Sequence, residues 1–219
     1  MNHIQTPTGK RVDIQVLGRN MAFFNQRCRG WSHPYEWEHN GSTLSNAGCG
    51  IFSLCHCIQW LTGIEQDPEK WADFSCATGG RGDDGTDRPA LLHALMAHGK
   101  TAEIGFRYEE DGMRNDLDAL YDHLLSGRGV SMCNLRVGHI VALVAAREAD
   151  GRRQVLAIDS YSESASEKVR DHVIEVLPGS EVAYDVKNQD GLVVGHNVAY
   201  AAFWVDASLP RDFNLLHKI

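Results

Sequence analysis

The sequence predicts an α+β fold, a mainly helical part over about residues 1–128 followed by a mainly antiparallel sheet over about 129–219, in one domain. Three observations carry this reading. Apolar residues recur at helical spacing in the first half, as in Ile51, Leu54, Cys55, Ile58 and Leu61. From Gly129 onward the period shortens to brief apolar or alternating runs broken by turn residues. No linker rich in proline or serine separates the two halves, so helices and strands share one core.

Taken in order, residues 1–40 are polar and aromatic without a clear period, which predicts a loop-rich segment with one strand at Val12–Leu17. Cys49 to Leu61 is a buried helix that stops at Gly63, where glycine admits a left-handed cap. Asp67 before Pro68 reads as an N-cap and first helical residue of a short helix. The glycine-rich stretch Thr78–Thr86 reads as a loop, and Pro89–His98 and Asn115–Leu125 as amphipathic helices, the second with Leu117, Leu120, Tyr121, Leu124 and Leu125 on one stripe. The strands that follow are predicted at Val130–Leu135, His139–Ala146, Gln154–Asp159, Val173–Leu177, Val182–Val186 and Val198–Val205.

Composition narrows the function classes. With 219 residues, a chain of 24.3 kDa buries roughly 70% of its unfolded surface, and 43% hydrophobic residues with only six prolines fit a packed domain. The net charge of −8 would repel a phosphate backbone, which argues against nucleic acid as partner. The longest apolar run, Ile140–Ala146, is strand-sized, so no membrane span is expected. The N-terminal residues lack the apolar stretch of a signal peptide, which points to the cytoplasm. In a reducing compartment the six cysteines (28, 49, 55, 57, 76 and 133) read as thiols.

One of them sits where a nucleophile belongs. A thiolate is stabilised at a helix N-terminus and by a neighbouring imidazolium, and Cys49 opens the buried helix between Gly48 and Gly50, which leave backbone room for a substrate carbonyl. Gly138-His139 leads the apolar strand Ile140–Val144, and Asp159 closes the next one. Cys49, His139 and Asp159 are thus the three groups that a thiol acyl-transfer site requires.

In these residues the sequence resembles the papain-like cysteine peptidases, close to the bacteriocin-processing, double-glycine-cutting group. The resemblance rests on Asn25-Gln26-Arg27 with Trp31 five residues after the glutamine, Gly48-Cys49-Gly50 opening a helix that ends Leu61-Thr62-Gly63, Gly85-Thr86 before a helix, Gly138-His139 leading a strand, and Asp159 ending the next. It spans roughly residues 23–160, and the last sixty residues lie outside it. Two departures mark a remote branch: the family usually continues Gly-Cys-Gly with Pro-Thr-Ser, here Ile51-Phe52-Ser53, and follows the acid with proline, here Ser160.

The resemblance implies a papain-like fold and a peptidase or amide hydrolase that acts through an acyl-enzyme on a peptide or protein substrate, with no cofactor. Cys49 attacks, His139 moves the proton and Asp159 orients the imidazole. The oxyanion donors are the Cys49 backbone N–H and Gln26, although many relatives place that glutamine about six residues before the nucleophile, where Thr43 stands. Gly48, Gly50, Trp31, Gly85, Thr86 and Gly138 would line the substrate cleft. An acyltransferase or amide ligase with the same triad, and a binding module with a structural Cys49, are the alternatives.

Other readings of the motifs are weaker. Cys55-His56-Cys57 offers metal ligands, but neighbouring helix positions diverge and no second pair completes a tetrahedron, so no metal is expected, with Cys55 in the core and His56 and Cys57 partly exposed. Gly79–Thr86 lacks the lysine and preceding strand of a phosphate loop, and Asp83, Asp84 and Asp87 lack the spacing of a calcium loop. Trp31, Tyr35 and Trp37 suit packing against the helix, and His196 is the second candidate base.

Side-chain alternation sets a condition on the triad. A three-residue loop Ala149-Asp150-Gly151, or an equivalent bulge, would pair His139 with Tyr161 and put Asp159 diagonal to His139 on the same face; a two-residue turn at Asp150-Gly151 would put it on the other.

Overall fold

Among the described residues aspartates begin three of the helices, two of them with a proline in the first turn, and glycines end four. In the computed structural model, which describes residues 4–28, 30–109, 113–162 and 167–219 with backbone alone for Ile4, Glu167 and Lys168, Asp67, Asp87 and Asp116 accept hydrogen bonds from first-turn N–H groups of helices α3 (Pro68–Thr78), α4 (Arg88–Ala97) and α6 (Leu117–Leu125). Helices α1 (Leu44–Ala47), α2 (Cys49–Thr62) and α5 (Lys100–Ile104) complete the run. Gly63, Gly79 and Gly105 close α2, α3 and α5 in left-handed geometry. None of the described helices is long and apolar enough to cross a membrane.

The chain is mixed α and β with mainly antiparallel sheets. Strands β6 (Phe106–Tyr108), β7 (Gly129–Leu135), β8 (His139–Ala149), β9 (Arg152–Ile158), β10 (Val173–Val176), β13 (Ala202–Asp206) and β14 (Pro210–Lys218) form one seven-stranded sheet in the order β10-β13-β9-β8-β7-β14-β6. A three-stranded sheet joins β1 (Ile4–Pro7), β11 (Glu181–Lys187) and β12 (Val193–Tyr200). Hairpins β2 (Arg11–Val16) with β3 (Arg19–Phe24), and β4 (Arg81–Gly82) with β5 (Gly85–Thr86), stand apart.

The large sheet divides the core. On one side α2, with Ile51, Phe52, Leu54, Cys55 and Ile58 fully buried, packs with Met132, Ala142, Val144, Leu156 and Ile158. On the other, Leu120, Tyr121 and Leu124 of α6 pack with Cys133, Val141, Leu143, Val155 and Ala157. Each such aliphatic side chain contributes about 1.5–3 kcal/mol by leaving water, so α2 is held by burial on all sides rather than by one amphipathic stripe.

Several expected boundaries move. Leu17 lies in the turn of a hairpin, with φ +48° before Gly18 at +76°, and a second strand returns where only one was expected. The glycine-rich stretch holds the two short strands β4 and β5. The run Val198–Val205 is not one strand: it splits at Ala201 between β12 and β13, which belong to different sheets. Ala201 turns its N–H to Ser180 and its carbonyl to the Asp159 N–H, and an unbroken apolar run holds no turn residue to betray that division. Strand β14, flanked by β7 and β6, has mixed polarity because Asn214 is buried within it.

The hairpin between His139 and Asp159 reaches the expected register through a bulge and not through a three-residue loop. Asp150 and Gly151 form a two-residue turn, both at positive φ (+52° and +68°), and pair Ala149 with Arg152. Left alone, that register would put His139 and Asp159 on opposite faces. A bulge at Val144 then shifts the ladder by one residue, so that Leu143 pairs with Ala157 and Ala142 with Ile158. Continued to the strand ends, the shifted register sets His139 against Tyr161 and Asp159 diagonal to it. The driving force is burial, since Val144 and Ala145 both face the α2 side of the core. The three-residue loop with glycine in third place occurs one connection earlier, at Arg136-Val137-Gly138, where Gly138 at φ +75° delivers the chain to His139.

Deleting Val144 removes the bulge. The pairs on either side stay as they are, with Leu143 opposite Ala157 and Ala145 opposite Leu156, so the expected outcome is a folded sheet that keeps the His139–Asp159 contact, checked by the retained far-downfield proton resonance of a carboxylate-bound imidazole; a lost resonance would show that the bulge does more than set the phase.

Candidate active site

Three elements deliver Cys49, His139 and Asp159 to one place. Cys49 is the first residue of α2, whose cap Gly48 offers no side-chain acceptor, unlike the aspartates of α3, α4 and α6. The first-turn N–H groups therefore stay free for other acceptors. His139 and the N–H groups of Ile140 and Gly50 are the groups that favour a thiolate at Cys49. Ser53, one turn along, shares its one hydroxyl hydrogen between the Cys49 carbonyl (2.8 Å) and the Ile140 carbonyl (3.0 Å), pinning the helix start to the first residues of β8.

His139 Nε2 lies 2.6 Å from Asp159 Oδ1, with the histidine 5% exposed and the aspartate fully buried. The same Oδ1 accepts the Tyr161 N–H at 2.8 Å. With Nε2 committed to the carboxylate, Nδ1 is the nitrogen left for the thiol. The Tyr161 ring lies against the imidazole with centroids 4.5 Å apart.

The electrostatics favour an ion pair. Burial opposes a thiolate at Cys49, but the His139 hydrogen bond and charge, then the N–H groups of Ile140 and Gly50, outweigh it and lower the thiol below its ordinary value. Burial also opposes charge on His139, yet the Asp159 carboxylate, by charge and hydrogen bond, and then Cys49 carry it up to about 10. Burial instead pushes the Cys55, Cys57 and Cys133 thiols up, Cys133 to about 12. Cys49 is half-buried where those three are enclosed, so reactivity and access coincide at one thiol.

The flanking glycines serve packing rather than substrate. A Cβ on Gly50 would fall 2.4 Å from Thr86 Cβ, and one on Gly48 would fall 2.5 Å from the Leu44 carbonyl. The room ascribed to a substrate carbonyl is thus filled by Thr86 and Leu44. Thr86 is held by Tyr35, whose hydroxyl meets it at 2.8 Å, while buried Arg81 bonds the Tyr35, Gly82 and Gly85 carbonyls. Gly85 and Thr86 instead line a groove of about 340 Å³ with Asp83, Asp84, Asn134 and Ile140. Ile140, the residue after His139, is on its wall. Arg88 and Arg211, on its wall, are both paired with Asp212, whereas Asp83, Asp84 and Asp87 are exposed at its rim.

Other expected residues fall elsewhere. Trp31 is only 4% exposed and packs edge-on against Phe52 and Phe24, its Nε1 donating to the Asn25 carbonyl, so it belongs to the core and not to a cleft. Gly138 is exposed in the turn ahead of His139. Gln26 is fully buried beside the acid turn: its N–H bonds to the Ser160 carbonyl, and its Oε1 accepts from Ser160 Oγ at 2.9 Å. Its Nε2 is buried without a protein partner. Thr43 caps α1. His196 lies exposed in the three-stranded sheet against Asp185 at 3.1 Å.

His56 and Cys57 are enclosed rather than partly exposed, because α2 is surrounded. His56 Nε2 accepts the Phe24 N–H, and its ring stacks on Phe23. The sequence sets Tyr161 opposite His139 but assigns no role to it or to Ser53. Neither has a sequence signal beyond nearness to Asp159 and Cys49, since their roles follow from contacts across the fold.

A methyl at position 50 tests the helix setting. Gly50→Ala should destabilise by about 1–3 kcal/mol through overpacking, read as a lower denaturation midpoint, and Thr86→Gly in the same chain should restore part of the loss. Full stability of Gly50→Ala would show that the contact is slack.

Set beside known proteins, the chain matches no family model, no curated protein and no solved structure, so the convergence of Cys49, His139 and Asp159 is the ground on which its function is argued.

Proposed function

We propose that this protein is a papain-like cysteine peptidase or amide hydrolase that cleaves a peptide or amide bond through Cys49, His139 and Asp159. One observation carries the reading: a half-buried thiol at a helix start, lowered by a histidine that is itself held by a buried carboxylate at 2.6 Å. The same arrangement in a purely structural role would leave a buried charge pair with no return for its desolvation.

The chemistry follows from the geometry. The Cys49 thiolate attacks the carbonyl carbon, and the carbonyl electron pair moves to an oxyanion that the free N–H of the α2 start receives. As that oxyanion collapses, the imidazolium of His139 gives its proton to the departing amine, leaving a thioester on Cys49. Water then attacks the thioester, its proton passing to His139, and the acid product leaves as the thiolate–imidazolium pair re-forms. Asp159 keeps the ring oriented and its charged form stable throughout. Substrate approaches along the groove beside Ile140, whose exposed Asp83, Asp84 and Asp87 disfavour an acidic segment.

Cys49→Ala should abolish turnover of a mixed pool of peptide amides while leaving the circular dichroism spectrum intact, and Asp159→Asn should lower it roughly 10²–10⁴-fold. Turnover that survives Cys49→Ala would refute the reading.

The pH dependence has a worked sign. Reaction of Cys49 with iodoacetamide should rise through a pKa below that of an ordinary thiol, and turnover should fall again as His139 loses its proton near pH 10. For stability, the raised histidine contributes fully below its unfolded value of 6.5 and loses that contribution as the pH climbs to about 10. The lowered thiol contributes above its unfolded value of 9.0 and loses it as the pH falls. Where the two ranges overlap, the contributions change in opposite senses with pH and offset each other. Chemical denaturation of the native chain and of Cys49→Ala across pH 5–10 reads that difference.

A further inference from the structure

We propose that Tyr184, on the three-stranded sheet outside the resemblance, is a positioning residue for the catalytic acid, its buried hydroxyl holding the Asp159–Ser162 turn in the shape that presents the Tyr161 N–H to Asp159. The inference rests on the triad reading above and adds a residue that no triad motif contains.

The contacts form a directed chain. Asn25 Nδ2 donates to the Tyr184 hydroxyl at 2.9 Å. That hydroxyl lies 2.8 Å from Ser162 Oγ, and Ser162 Oγ donates to the Tyr161 carbonyl at 2.6 Å. Because the serine hydrogen is committed to that carbonyl, Tyr184 is the donor in the middle link, its hydroxyl also lying 3.3 Å from the same Tyr161 carbonyl. Tyr184 and Ser162 are both fully buried, so no solvent replaces a lost partner.

Ser162 needs the support. Its φ is +55°, a left-handed backbone that a residue with a Cβ disfavours, and its N–H closes the turn on the Asp159 carbonyl at 2.8 Å. In that turn the Tyr161 N–H falls 2.8 Å from Asp159 Oδ1, the oxygen that also receives His139. A relaxed turn would withdraw that N–H and leave the carboxylate free to rotate away from the imidazole. The charge that His139 carries, and with it the thiolate of Cys49, then weakens. Tyr184 thus couples the β1-β11-β12 sheet to the nucleophile without touching it, and Asn25 ties the same hub to the segment that places Gln26 against Ser160.

The test is the pH profile of Cys49 alkylation by iodoacetamide in the full chain. Tyr184→Phe removes one oxygen and should shift the alkylation limb to higher pH, slowing labelling at pH 6.5 about tenfold, with the sheet signal retained. Ser162→Ala removes the same bond from the other side and should do likewise, which keeps the test open should Tyr184→Phe fail to fold. Ser162→Gly placed in the Tyr184→Phe chain should restore the low-pH limb, because glycine adopts the left-handed turn unaided; a role in packing alone would show no such rescue. An unshifted limb in both single variants, against a native limb below that of an ordinary thiol, overturns the Tyr184 role and leaves the triad standing. A native limb at the ordinary thiol value overturns the triad reading and this inference together.

Discussion

The site depends on one buried contact, the 2.6 Å bond between His139 and Asp159. Taking a carboxylate and an imidazolium out of water is costly, and mutual attraction offsets the cost only where geometry is close and further hydrogen bonds complete the shells. Asp159 Oδ1 meets that condition with the Tyr161 N–H as its second donor. The other oxygen, Oδ2, is buried without a protein partner, as is Gln26 Nε2 close by, so polar capacity is concentrated around the acid. The rest of the architecture reads as what is required to bring two strand ends and one helix start to that contact.

Register is the second constraint. The β8–β9 turn is of the two-residue type favoured by strand twist, and by itself it would separate the histidine from the acid. One extra residue at Val144, accepted because two consecutive side chains bury on the α2 side, corrects the phase. Packing in mid-strand thereby sets chemistry at the strand end. The helix is positioned in the same manner, since Gly50 exists to admit Thr86, and Ser53 joins the helix to Ile140.

The three-stranded sheet gains a place in this scheme through Tyr184. Leu192, Val193, Val194 and Val198 are exposed on and beside it, while Tyr184 sends a hydroxyl to the Asp159–Ser162 turn. A segment with no motif of its own is thereby joined to the nucleophile through four hydrogen-bonding groups.

By itself the sequence determined the helix that opens at Cys49 and stops at Gly63, the candidate set Cys49, His139 and Asp159, and the change from helical to strand period near Gly129. These are local properties: caps, glycines and periodicity act over a few residues, and their physics is complete within the segment. Tertiary structure alone decided that Trp31 is core, that Gly48 and Gly50 serve packing, that Val198–Val205 divides between two sheets, and that Gln26 rests against Ser160. It also decided how His139 reaches Asp159, because a bulge is the resolution of two competing burials, and neither is visible until both strands face their partners.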